Sequence, residues 1–343
     1  MKGYITITGK NIDHYLDHYA VIAFELRNSR IKAKRLAIIE AYIALSSIGG
    51  IFIRNGPLGD VKGLFTFFVP MKHLDQLKHI LPRIGYCDRF YLLDFHSDQS
   101  ENHTDLVTIN ELIWKGRRFS LHKYHEQNPT LYENQSPHKR KFKILDENNV
   151  VKVVHGYRGD GSETGRRALP VEDARCMVNL SNPYRATKLL DPFSGGGGIV
   201  LQAKYIKSSL KVYSVDIDPV VSPGLQLYGA KHYVGDASQI QFPGKKFDSI
   251  VTEVPFSPNS TETILEAIDN LNPYFKEDGN IIMMSSADQA EKINHHLHSL
   301  GMHGYVYHPI DRKGIDVVIM AWTKSVEKIE RMQEFLDVVE RVY

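Results

Sequence analysis

A chain of 343 residues that is 42% hydrophobic and 24% charged, with a formal net charge of +2, can bury a substantial core and has room for two domains. It contains two cysteines, Cys87 and Cys176, far apart and without a second thiol near either, which excludes a disulfide framework and a Cys-x-x-Cys metal knuckle. It has no apolar run of the roughly 18 residues a membrane helix needs, and MKGYITITGKNIDHY lacks the apolar stretch of a leader, so a cytoplasmic protein with no membrane partner is expected.

In chain order, GYITITG reads as a short strand, and RIKAKRLAIIEAYIALSSIGG carries helical periodicity that stops at Gly49 and Gly50. GLFTFFVP then predicts a strand, HLDQLKHILPRIG a helix and FYLLDF a strand, a βαβ pattern that makes residues 1–95 an N-terminal α/β domain. Residues 96–165 form a basic, aromatic connecting segment. From Lys115 to Lys143 eight Lys or Arg face two Glu, with Trp114, Phe119, Tyr124, Tyr132 and Phe142 interleaved. Such a segment can hold phosphates and stack bases, and it can equally be a solvated linker. Arg117, Arg118, Lys139 and Arg140 are its candidate phosphate ligands.

A glycine-rich stretch from Gly156 to Gly165 precedes Pro170, Glu172 and Asp173, which favour a helix first turn. KLLDPF, KVYSVDID, FDSIVTEV and NIIMMSS predict strands, and GIVLQAKYI, TETILEAIDNLNPYF and DQAEKINHHLHSL predict helices. GYVYHPI and DVVIMAWT, joined by DRKG, form a closing antiparallel pair. The alternation predicts a largely parallel sheet covered on both faces. His295, His296 and His298 lie opposite the apolar Ile293, Leu297 and Leu300 with no carboxylate or thiol at ligand spacing, so a solvated helix face and no metal are expected.

Four stations along this half carry chemistry. Asp191 ends a strand, and Phe193, Ser194 and the glycines from Gly195 to Gly198 follow at once, where bare backbone lets a ligand approach amide N–H groups. The run is not a clean GxGxxG, which disfavours hydride cofactors. Asp216 closes the next strand, with Ile217 beside it, and can accept both hydroxyls of a ribose. Asp236 and Ala237 form a turn able to receive an adenine amine. Last comes Glu253-Val254-Pro255-Phe256, in which the carboxylate and the Val254 carbonyl can accept two N–H bonds of a planar amine while Phe256 stacks on its ring.

In this order the stations resemble the class I S-adenosylmethionine-dependent methyltransferases over about residues 165–325. DPFSGGGG preceded by RRALPVEDARCMVNL is similar to the RNA guanine-N2 methyltransferases related to the THUMP-containing tRNA enzymes. The resemblance implies a Rossmann-like doubly wound methyltransferase sheet with a terminal antiparallel hairpin, S-adenosylmethionine as cofactor, and RNA as partner. It gives Asp191, Gly195 and Gly197 to the methionine end of the cofactor, Asp216 to the ribose and Asp236 to the adenine. The family tetrapeptide is DPPY or NPPY. EVPF departs from it, with a carboxylate one methylene longer and no first proline.

The expected protein is therefore an N-methylating enzyme acting on a base in tRNA or rRNA, with its methyltransferase domain at 166–325 and a C-terminal helix at 326–343. The altered tetrapeptide keeps two alternatives open: a methyltransferase for a small molecule or peptide, and a non-catalytic binding subunit of the same fold.

Overall fold

The computed structural model describes residues 3–96, 112–127, 141–145, 151–155, 169–312 and 315–340. The chain divides into two compact units, Met1–Asn128 with Glu334–Tyr343, and Pro129–Gln333.

The first unit runs β1 (Tyr4–Thr6), α1 (Ile12–Leu16), β2 (Tyr19–Leu26), α2 (Lys34–Leu45), β3 (Ile51–Arg54), β4 (Leu64–Pro70), α3 (Leu74–Ile80), β5 (Cys87–Phe95), β6 (Leu112–Trp114) and β7 (Arg117–Glu126). Its seven-stranded sheet has the order β1-β3-β4-β2-β5-β7-β6. β4 and β5 are the strands of the predicted βαβ pattern, but β2 lies between them, antiparallel to both. The near-continuous apolar run YAVIAFEL of β2 is what a strand buried in mid-sheet requires. Residues 112–126, read from sequence as connecting segment, are strands of this sheet, because Phe119 and Trp114 bury their rings in its core. α2 is covered nearly all round and buries Glu40, whose carboxylate accepts from the N–H groups of Gly85 (2.6 Å) and Tyr86 (3.0 Å).

The second unit opens with a hairpin, β8 (Lys141–Leu145) and β9 (Val151–His155), and continues as α4 (Val171–Leu180), β10 (Lys188–Asp191), α5 (Gly198–Ile206), β11 (Lys211–Asp216), α6 (Ser222–Leu227), β12 (Ala230–Val234) and β13 (Phe247–Glu253). α7 (Thr261–Leu271), β14 (Phe275–Ser286), α8 (Ala287–Ser299), β15 (His303–Arg312), β16 (Ile315–Thr323) and α9 (Val326–Glu340) complete it, although α9 passes into the first unit at Glu334. There Phe335 stacks on Tyr42 at 4.0 Å between centroids.

The second sheet has the order β12-β11-β10-β13-β14-β16-β15. The strands from β12 to β14 are parallel, and β16 is antiparallel to both β14 and β15. Counted from β10, the sheet begins in the middle and winds outward in both directions, so the chain reverses beside β10. In doubly wound sheets the ligand crevice opens at that reversal, over the carboxyl ends of the strands.

The opposite, amino-terminal ends of the strands are tied by Asp248, the second residue of β13. Its Oδ2 accepts from Thr187 N (2.9 Å), Thr187 Oγ1 (2.7 Å) and Lys188 N (2.7 Å), and Lys276 pairs with Oδ1. Burial alone would raise this carboxyl, but these bonds outweigh it and bring it down to about 2. A depressed carboxyl stabilises the fold above its unfolded value near 4, and that contribution disappears as pH falls through 2. Asp248→Asn should cost about 1–2 kcal/mol at neutral pH after solvent screening, measured by urea unfolding, and the gap from wild type should close between about pH 4 and pH 2.

Candidate active site

The site is built on the carboxyl ends of β11, β10 and β13. Asp191, the last residue of β10, is fully buried; its Oδ1 accepts from Thr252 Oγ1 at 2.7 Å, and the N–H of Phe193 also donates to it. Register places Asp191 opposite Ser214, so Asp216 stands two residues further out on β11, while Leu190 pairs with Ile250 and Glu253 ends β13. Three carboxylates thus line one edge. Burial pushes Asp191 up to about 7; the Thr252 and Phe193 bonds oppose this only partly, and the charges of Asp216 and Glu253 add to it. A carboxylate held in this way is relieved by a cation.

Among the quoted glycines, two have a backbone conformation that requires one. Gly195 lies at φ +45° and Gly197 at φ +84°. A Cβ on Gly197 would come within 2.8 Å of Leu225 Cδ2, whereas one on Gly195 would meet open space. Gly197 is therefore fixed by packing, and Gly195 fronts the crevice. The loop is tied to β11 by Asp216 itself, whose Oδ2 accepts from Gly195 N at 2.7 Å and Oδ1 from Asp218 N at 2.9 Å. Ser194 N and Oγ both donate to Val215 O at 2.9 Å. Each oxygen of Asp216 keeps a second lone pair for a ribose hydroxyl. Ile217, beside it, is 69% exposed, an apolar surface left without cover in the second unit.

Asp236 makes a local turn, its Oδ1 accepting from Ser238 N and Ser238 Oγ, both at 2.8 Å. Asn270 on α7 holds the same loop by donating to Ala237 O (2.9 Å) and Ile240 O (2.8 Å). That residue was not singled out in the sequence, since nothing local marks a helix residue that serves a loop thirty positions earlier. Glu253 and Phe256 are half-buried, Val254 is buried, and Val254 N donates to Met284 O at 3.0 Å. The loop beyond is held from α8 by Gln289, whose capping position Ser286-x-x-Gln289 is legible in the sequence although its reach to the loop is not.

Of the phosphate candidates, Arg117 and Arg118 belong to β7 of the first unit. Arg117 on β7 makes a two-pronged ion pair with Asp13 of α1, Nη2 to Oδ2 at 2.8 Å and Nε to Oδ1 at 3.1 Å. Arg118, its neighbour, is exposed. Lys139 and Arg140 lie outside the described residues. His296 bonds Asp269 at 2.8 Å, and His295 and His298 are exposed. Among the described residues no group of three or more His, Cys, Asp or Glu is placed to hold a metal, and no helix is long and apolar enough to cross a membrane.

The sheet order, the glycine loop and the carboxylates at the strand ends define a class I S-adenosylmethionine-dependent methyltransferase fold. A probable tRNA (guanine(10)-N2)-dimethyltransferase of Methanothermococcus thermolithotrophicus is 31% identical over 39% of this chain and 90% of its own length. The chain belongs to the tRNA (guanine(10)-N2)-dimethyltransferase family. A second relative, from Pyrococcus abyssi and named tRNA (guanine(10)-N2)-dimethyltransferase, is 44% identical over 27% of this chain, which spans only 30% of that protein. Among solved structures, TrmN from Thermus thermophilus overlaps 89% of this chain and 100% of its own at 11% identity and a TM-score of 0.44. No family model matches the sequence.

Two expectations follow. Because Asp191 is raised when folded, its cost grows as pH climbs from its unfolded value near 4 to about 7 and is constant above. Thermal and urea unfolding of the ligand-free protein should therefore show wild type losing about 2 kcal/mol relative to Asp191→Asn between about pH 5 and pH 7. The two glycines should separate. Gly197→Ala should destabilise by roughly 2–3 kcal/mol through the left-handed backbone and the Leu225 contact. Gly195→Ala should cost about 1 kcal/mol of stability yet weaken S-adenosylhomocysteine, titrated calorimetrically, by about tenfold or more.

Proposed function

We propose that this protein transfers a methyl group from S-adenosylmethionine to the exocyclic N2 amine of a guanosine in tRNA. Membership of a family whose curated relatives bear that activity in their names supports the acceptor, and the acidic strand ends support the donor. The observation that carries the reading is the buried Asp191 flanked by Asp216 and Glu253, a cradle suited to a cationic nucleoside. Asp191 and the Gly195–Gly197 backbone would hold the methionine end, with Phe193 and Ser194 shaping that loop. Asp216 would accept the ribose hydroxyls, Ile217 would cover the base, and Asp236 and Ala237 would meet its amine.

Bound there, S-adenosylmethionine supplies a methyl group on a positively charged sulfur, open to direct displacement by a lone pair. Glu253 and the Val254 carbonyl accept the two N–H bonds of the guanine amine, so its lone pair is left facing the donor. Such orientation lowers the barrier by fixing the attack geometry in advance. Glu253 would also take the proton released as the new N–C bond forms. Pro255 limits the turn, and Phe256 stacks on the guanine ring. Arg118, Lys139 and Arg140 meet RNA phosphates, while Arg117 must share its guanidinium with Asp13. Both cysteines are free thiols, in keeping with a reducing cytoplasm.

The test is transfer of labelled methyl from S-adenosylmethionine to tRNA transcripts, with nucleosides identified by mass spectrometry. Wild type should yield N2-methylated guanosine, and Glu253→Gln should lower kcat by about a hundredfold with S-adenosylhomocysteine affinity little changed. Transfer to a small molecule or peptide alone would overturn the RNA acceptor. Cofactor binding without any transfer would favour the non-catalytic subunit, for which the departure of EVPF from the family tetrapeptide is the specific observation.

A further inference from the structure

Resting on the reading of Glu253-Val254-Pro255-Phe256 as the amine-gripping segment, we propose that Gln289 is a positioning residue for the acceptor. From the first turn of α8 it fixes the loop that carries Phe256.

The loop after β13 has a backbone problem. Pro255 and Pro258 interrupt any ladder, so the carbonyls of residues 255 and 257 are held, if at all, by side chains rather than by strand pairing. One buried side chain answers both: Gln289 Nε2 donates to Pro255 O at 2.9 Å and to Ser257 O at 3.0 Å. Ser260 Oγ reaches the same two carbonyls at 2.8 and 2.6 Å. Phe256 is the residue between the two pinned carbonyls. The opposite end of the amide is equally engaged, Oε1 accepting from Ser286 Oγ at 2.9 Å and from Ser286 N at 3.3 Å in a capping box at the start of α8. The orientation of the amide follows from its neighbours: two carbonyls can only accept, and the Ser286 N–H can only donate.

The identity of the residue separates clamp from cap. A capping box is satisfied by Glu as well as Gln, and the positive end of the helix dipole favours Glu. Only the neutral amide provides two N–H groups for the loop. A helix cap therefore does not account for glutamine, and the clamp does.

Gln289→Glu keeps the cap and turns the two donors into acceptors facing carbonyls; Gln289→Met removes both functions. Asp248→Asn, at the amino-terminal end of β13, serves as a control for general destabilisation. Each variant should be assayed below its melting temperature for kcat and KM with tRNA, for S-adenosylhomocysteine affinity, and for hydrogen–deuterium exchange across residues 253–261. Both Gln289 variants should lose about a hundredfold in kcat, the effect of displacing a reacting group by about 1 Å. Cofactor affinity should stay within about threefold, and exchange at residues 256–260 should accelerate. Asp248→Asn should change neither kcat nor that exchange.

If Gln289→Glu retains wild-type kcat and wild-type exchange in the loop, the residue is a cap alone and the proposal is overturned. If wild type transfers no methyl to RNA, the proposed function fails, and the exchange data still decide the clamp: unchanged exchange in both Gln289 variants overturns it too.

Discussion

The second unit is organised around a carboxylate withdrawn from water. Asp191 lies at the end of the central strand, bonded by Thr252 and the Phe193 amide, with Asp216 and Glu253 on the flanking strands adding to the cost of its charge. Parallel strands meeting at a chain reversal bring these three ends together, at an electrostatic cost to the buried carboxyl. A charge at such a position is costly, and the cationic cofactor proposed for the site would relieve it. Asp248 shows the contrast. At the amino-terminal ends of the same strands a carboxylate is given its partners by the chain, falls to about 2, and ties β13 to the start of β10.

The loops above the carboxylates share one construction. Each is irregular, and each is fixed by a side chain from a neighbouring element. Asp216 holds the glycine loop through Gly195, Asn270 holds the turn at Ala237, and Gln289 holds the segment around Phe256. Loops carry the binding groups because strand backbones are already engaged, and they position those groups only if their own free carbonyls and amides are tied down. Amide side chains suit this work, as their two N–H groups can take two carbonyls at once without adding charge to an already acidic site.

What could be read in the sequence follows this division. Asp191, Asp216, Asp236 and Glu253 were visible because each sits at the end of an apolar run, where periodicity stops and polarity begins. The alternating strands and helices of residues 188–323 were visible for the same reason. Asn270 and Gln289 were not, because their role depends on loops that only the folded sheet brings to them, although Ser286-x-x-Gln289 is a legible capping pattern. In the first unit the near-continuous apolar run of β2 lacks the alternation that marks a half-buried strand, and it is the strand that separates β4 from β5. Arg117 looked like a phosphate ligand within a basic run, but its carboxylate partner, Asp13, lies more than a hundred residues away in the chain.

The departure in the tetrapeptide has a structural counterpart. Where the resemblance calls for a first proline, Val254 retains an N–H, and that N–H donates to Met284 O, a bond proline could not make. The turn therefore exchanges the stiffness of a ring for a ladder bond to β14 on one side and, on the other, the pinning of Pro255 and Ser257 by Gln289 and Ser260. A segment anchored at both ends can hold a side chain one methylene longer in a fixed place, since the backbone beneath Glu253 has little freedom to drift. Thr252, its immediate neighbour, is itself bonded to Asp191, so the proposed grip on the acceptor and the proposed cradle for the donor are coupled through one hydrogen bond. The amine methylation proposed for a glutamate in place of an aspartate would thus draw on a backbone fixed on both sides of the turn.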